Sequence, residues 1–111
     1  MKILNRKQFL AMPHNTLYSD IDKTWHPGFN DLKIKGGSWE NDFQYDDLIV
    51  PVCICDLDKV EEWMKLAEIE DVSLDFNFTG RDGMFEEEQT FAVYSKNDVK
   101  QLIDRLKKCI K

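Results

Sequence analysis

Three consecutive glutamates, Glu86-Glu87-Glu88, follow a glycine-bounded turn, Gly80-Arg81-Asp82-Gly83, and an apolar pair, Met84-Phe85. Such a run can do two kinds of chemistry. It can ligate a cation through oxygen, or it can offer an apolar anchor inside a negative field to a basic protein. The cation option begins at Asp75. Counted from there, Asp75, Asn77, Thr79, Gly80 and Glu86 occupy positions 1, 3, 5, 6 and 12 of an EF-hand-like loop. Two features oppose it: Asp82 stands where that loop wants an apolar residue, and the preceding residues alternate like a strand where a helix should enter. A looser cation site on Asp82, Glu86, Glu87 and Glu88 is the lesser alternative. The protein-binding option assigns a contact surface to Arg81, Asp82, Met84, Phe85, Glu86, Glu87 and Glu88. Trp25 and Trp39 form a second, aromatic candidate surface. Against both stands a plain structural role, with Phe85 folded onto the core and the glutamates merely solvated.

Other reactive residues are sparse. No lysine-bearing phosphate loop, nucleophile elbow or zinc-protease motif occurs. His14 lies in a turn and His26 precedes a proline, and each is read as an ordinary surface or half-buried residue rather than a general base. Cys53, Cys55 and Cys109 are an odd set without a disulfide framework. Cys53 and Cys55 share a strand face as small hydrophobes, and neither histidine completes a zinc spacing with them. The chain is therefore read as non-catalytic, with no metal or cofactor.

Charge is distributed unevenly. Residues 1–35 carry six bases and three acids. Residues 36–95 carry sixteen acids and three bases, a net charge of −13, and residues 96–111 carry six bases and two acids. The total is −6 over 111 residues. A central negative block disfavours direct contact with a nucleic-acid backbone and favours basic partners. The longest apolar run, Leu48 to Cys55, is far short of the ~18 residues of a membrane span. No apolar signal segment opens the sequence, so a cytoplasmic protein is expected.

The elements that must position these residues can be read from periodicity. Residues 1–111 are about one domain's worth. Asn5 and Gln8 form a capping-box pair for a short first helix, which Pro13 ends. Leu32-Lys33-Ile34-Lys35 alternates as a half-buried strand, and Gly36-Gly37 reads as the turn of a hairpin leading to Phe43 and Tyr45. The run from Ile49 to Cys55 reads as a buried strand or an extended connection, and Pro51 demotes it to an edge or irregular position. Val60, Trp63, Met64 and Ala67 make the core-facing stripe of a second helix. Val72, Leu74, Phe76 and Phe78 alternate strictly, and with Phe91 and Val93 they predict a hairpin across the 80–89 loop. Ser95 and Asp98 cap a last helix whose stripe is Val99, Leu102, Ile103, Leu106 and Ile110. The expected fold is α+β, in the order α-β-β-β-α-β-β-α. It is a small, mostly antiparallel sheet with helices packed on one face. An exposed edge near Pro51, or the aromatic loop, could pair two copies as a homodimer.

Several segments together resemble small proteins encoded by bacteriophages and prophages, a group of unassigned function. They are Arg6-Lys7-Gln8-Phe9-Leu10, Pro13, Thr16-Leu17-Tyr18, Leu32-Lys33-Ile34-Lys35 and Asn41-Asp42-Phe43-Gln44-Tyr45. Gly80-Arg81-Asp82-Gly83-Met84-Phe85 and Gln89-Thr90-Phe91-Ala92-Val93-Tyr94 complete the pattern. The resemblance implies a phage setting, the cytoplasm of a bacterial host, and an inhibitor of a host defence or nucleic-acid-binding protein. Beside it stands a small-ligand or nucleotide binder with a pocket of Trp25, Trp39, Tyr45 and Tyr94. A carboxylate-based, metal-dependent enzyme is the third option.

Overall fold

A computed structural model of the chain describes residues 1–22, 28–49, 57–74, 76 and 79–110. Its centre is a six-stranded antiparallel sheet with strand order β1-β6-β2-β3-β4-β5. The strands are β1 (Lys2–Asn5), β2 (Thr16–Asp22), β3 (Gly28–Trp39), β4 (Asp42–Asp47), β5 (Gly80–Arg81) and β6 (Thr90–Val93). The helices are α1 (Arg6–Leu10), α2 (Leu57–Ala67) and α3 (Lys96–Lys107). The α+β class is as expected, with one strand, β1, added before the first helix. No helix among the described residues is long and apolar enough to cross a membrane.

Both capping boxes form. Asn5 accepts from the Gln8 amide and Gln8 returns a bond to Asn5, while Ser95 and Asp98 do the same for α3. The first of these turns the chain directly from β1 into α1, so Phe9 lands over the sheet. Register fixes which residues share that face. Tyr18 lies opposite Lys33 and Val93, Asp20 opposite Phe91, and Lys35 opposite Thr16 and Tyr45. Phe9 stacks on Phe91 at 4.0 Å between centroids and meets Tyr18 at 4.6 Å and Phe43 at 5.0 Å. With Val93 these rings are the buried core. Lys35 is also buried, and its ammonium donates to the carbonyls of Met12 and Gly36. Burial lowers its pKa.

Three sequence expectations shift. Gly36-Gly37 does not turn the chain. Both glycines lie inside β3, where the ladder slips between Lys35 and Ser38, and the hairpin closes at Glu40-Asn41. Glu40 takes a left-handed conformation there, φ 47°. A bulge needs glycine for close approach as a turn does, and a Cβ on Gly36 would sit 3.3 Å from Gln44.

The hairpin across residues 80–89 does not form either. β5 pairs with β4 at one edge of the sheet, while β6 lies between β1 and β2. The intervening loop therefore crosses the sheet rather than reversing at its edge. Residues 71–74 and 76 are not in a strand, and Phe76 is 67% exposed. Both sides of β6 are already occupied, by β1 and β2, so no ladder position on β6 is open to a further strand.

Finally, α2 and α3 form as predicted, but their apolar stripes stay out of the core. Val60, Trp63, Val99 and Leu102 are half-buried. Met64, Ile103, Leu106 and Ile110 are exposed, and α3 buries no residue fully. The aromatic cluster under α1 already fills one sheet face. The Cys53–Cys55 pair, Pro51, Trp25 and His26 lie outside the described residues.

Candidate functional site

The loop from Asp82 to Gln89 is tied down from below by one buried cation. Arg6, on the first turn of α1, is 3% exposed. Its Nη1 donates to Asp82 Oδ2 at 2.8 Å and to Gln89 Oε1 at 2.9 Å, and its Nη2 donates to the Asn41 carbonyl. It thus holds both ends of the loop and the β3–β4 turn at once. Its guanidinium also lies 5.5 Å from the Phe43 ring centroid and 6.0 Å from that of Phe85.

A second anchor is Asp42, 2% exposed at the start of β4. Its Oδ1 accepts from the amides of Phe43 and Gly83. Its Oδ2 lies 2.9 Å from Arg81 Nε, and Arg6 Nη2 is 3.8 Å from Oδ1. Burial alone would raise the Asp42 carboxyl. The two amide bonds and the charges of Arg81 and Arg6 outweigh burial and hold it below the ordinary carboxylate value. Two guanidiniums thus meet two carboxylates, Arg6 from within and Arg81 from the solvent side, its side chain 61% exposed.

So held, the loop takes two left-handed turns, at Gly83 (φ 64°) and at Phe85 (φ 55°). Glycine adopts that conformation freely, but an aromatic residue does so only where its surroundings impose it. Here the constraint comes from Asp42 on Gly83 N, Asp82 Oδ2 on Met84 N, and Glu86 O on Gln89 N. The outcome is presentation: Met84 is 57% and Phe85 49% exposed, and Glu86, Glu87 and Glu88 are exposed beside them.

Because the loop crosses the sheet, it walls a cleft of about 570 Å³ on the α1 side. Asp82, Met84, Glu86, Glu88 and Gln89 form one wall, and Asp20, Lys33 and Tyr45 rise from the sheet. A polar chain runs along the floor. Gln89 Nε2 donates to Asp20 Oδ1 at 2.9 Å, and Lys33 Nζ donates to Asp20 Oδ2 at 3.3 Å. The Lys33 ammonium also sits 4.5 Å from the Tyr45 ring centroid. Burial works against that charge, but Asp20 outweighs it and the pKa of Lys33 is raised. Asp20 is paired with Lys33 and Asp82 with Arg6, so the carboxylates of Glu86 and Glu88 leave the cleft negative, suited to a cationic guest. Glu87 points to the other side of the loop, into a second hollow lined by Arg6, Lys7 and Glu40.

Of the residues singled out in the sequence, Arg81, Asp82, Met84, Phe85, Glu86, Glu87 and Glu88 come together as this one loop. Trp39 is 44% exposed, at the tip of the β3–β4 hairpin, and Trp25 lies outside the described residues. Tyr45 and Tyr94 of the expected aromatic pocket do not meet. Tyr45 faces the cleft, whereas Tyr94 bonds Ser19 on the opposite sheet face. Nor does Asp82 join a cation site, since Arg6 occupies its carboxylate. Among the described residues no three His, Cys, Asp or Glu side chains converge as metal ligands. Asp75 and Asn77 are not described, and Thr79 donates to Asp46 instead.

Arg6, Asp42, Asp20 and Gln89 were not foreseen as site residues. The signal available for Asp20 was a charge two residues beyond Tyr18 on the inward side of β2. Nothing local marks Arg6, whose partners lie 35 to 83 positions away. Comparison with protein-family models, curated proteins and solved structures returns no match.

Proposed function

We propose that this chain is a non-catalytic interaction protein that binds a basic surface of another protein through the 81–88 loop and the acidic cleft behind it. The observation that carries the proposal is the exposure of Met84 and Phe85 on a loop held in a left-handed conformation by buried ion pairs. Backbone strain held in this way, at a bulky aromatic residue that is also exposed, is a feature of binding loops. The apolar pair is the anchor, and Glu86, Glu87 and Glu88 supply the steering field. The cleft accepts a lysine or arginine side chain from the partner, between Tyr45 and the carboxylates of Asp20, Glu86 and Glu88. Its size also falls in the range of small-ligand sites, but its charge demands that such a ligand be cationic. An acidic rim of this kind repels nucleic acid and can compete with it for a basic protein. In the phage setting that the sequence resemblance implies, the partner is a host defence or nucleic-acid-binding protein, and the outcome is inhibition.

The test is capture of host proteins on immobilised full-length chain, at rising salt, beside E86Q/E87Q/E88Q and M84S/F85S. The expected result is a retained protein that salt elutes progressively, that the glutamine variant holds only at low salt, and that the serine variant loses. Retention unaffected by salt and by both variants overturns the proposal, as does the absence of any retained protein.

A further inference from the structure

The stripes of α2 and α3 are left partly uncovered, with Val60, Trp63, Val99 and Leu102 half-buried and the remainder exposed, and their flanks carry opposite charge. Residues 57–71 hold six acids and two bases, and residues 96–108 hold five bases and two acids. On α3 the stripe is Val99, Leu102, Ile103 and Leu106, continued by Ile110, with Leu106 65% and Ile110 80% exposed. On α2 it is Val60, Trp63, Met64 and Ala67, with Met64 58% exposed. These exposures hold with both helices of the chain in place, so the stripes do not cover one another within one molecule. Solitary apolar residues on a surface need no explanation, but two helix-long stripes mark contact surfaces.

We infer that the occupant of each stripe is the other helix of a second copy of this chain: α2 of one protomer packs antiparallel on α3 of its partner. Helix geometry decides the direction. At about 100° per residue, Lys100 and Lys107 flank the α3 stripe on one side. Glu61 and Glu68, which lies one residue past α2, flank the α2 stripe on the side of the same hand. Two helices packed face to face bring same-handed flanks together only when antiparallel. The lysines of α3 then face the glutamates of α2, whereas a parallel pair separates them. On the other flank of α3, Arg105 is the cation nearest the stripe. Within α2, Glu61 contacts Lys65 only loosely, at 3.8 Å and well exposed, so it is free to exchange partners. A two-fold axis makes the contact twice, since each protomer offers both helices.

Sedimentation equilibrium of the full chain tests this. The expected mass is twice the 13.1 kDa of one chain. L106E should raise the dimer dissociation constant roughly a hundredfold or more, because two leucines leave the interface per dimer. Its circular dichroism should stay native, since Leu106 lies outside the core. K100E/K107E should weaken the dimer, and adding E61K/E68K should restore it. A wild-type monomer across the concentration range refutes the inference. So does a dimer indifferent to L106E, which would place the contact elsewhere, on a sheet edge for example. Loss of the dimer on charge reversal without rescue by the second reversal removes α2 as the occupant.

Discussion

Replacing Arg6 with methionine should be among the most damaging single changes in this chain, and the structure says why. Methionine keeps much of the apolar stem beside Phe43 but removes the donors to Asp82, Gln89 and the Asn41 carbonyl. Asp42 retains Arg81 and two amides, so its loss is partial. Asp82 is stranded: its side chain is 8% exposed and Arg6 is its ion-pair partner. Breaking a buried pair from one side costs about 3–5 kcal/mol, most of it the price of the abandoned charge. At a urea slope of about 1–3 kcal/mol/M, that lowers the unfolding midpoint by roughly 2 M. The double variant R6M/D82N removes the stranded charge and should recover about 1–2 kcal/mol of the loss. R6K keeps the charge without the fork and should fall between wild type and R6M. Urea unfolding followed by tryptophan fluorescence and by circular dichroism measures wild type, these three variants and D82N alone, which closes the cycle. A cost below about 1 kcal/mol for R6M, or strictly additive effects of R6M and D82N, would refute the assignment of Arg6 as the hub of the loop.

Three further outcomes follow from the same geometry. F9A removes the ring at the centre of the aromatic cluster and should cost about 3–5 kcal/mol in urea unfolding, against a small effect for F76A, which is exposed. Asp42 titrates in the folded state below its ordinary 3.8, so its stabilisation is complete above that value and is lost as pH falls through the folded value. The stability gap between wild type and D42N should therefore narrow on acidification from neutral to about pH 3, and a constant gap contradicts the assignment. G36A should destabilise by about 1–3 kcal/mol, because its Cβ meets Gln44 backbone, while G37A meets only the His14 ring at 3.4 Å and should be near neutral in thermal melts.

The sequence announced local structure well and partnership poorly. Capping boxes at Asn5 and Ser95 and the stripes of α2 and α3 were legible because their information lies within a few residues. The 81–88 loop was legible as a candidate because a Gly-bounded turn, an apolar pair and three acids are contiguous. Its supports were not legible, because Arg6, Asp42 and Asp20 acquire meaning only from register and from long-range packing. The Val72–Phe78 alternation misled for a related reason: period two describes what a strand could bury, and β6, the partner expected for it, is already paired on both sides. Gly36-Gly37 shows the same ambiguity in miniature, since a bulge and a turn ask for the same residue.

The negative block of the sequence thus splits into parts with different work. Asp42 and Asp82 face inward and fix the loop against Arg6 and Arg81. Glu86, Glu87 and Glu88 face outward on that loop. Glu61 and Glu68 flank a partly uncovered helix stripe whose complement is the basic α3. If α2 and α3 pair across a two-fold axis, the basic end of the chain is consumed there, and the loop carboxylates are left without an internal competitor for a basic partner. The two surfaces are then separable by experiment. L106E should give a monomer that still captures the partner, with faster release where two loops engage together. E86Q/E87Q/E88Q should give a dimer that does not capture it at moderate salt. A monomer that loses capture entirely would mean that the loop binds only when doubled, whereas a glutamine variant that loses the dimer would place the 86–88 carboxylates, not Glu61 and Glu68, opposite α3.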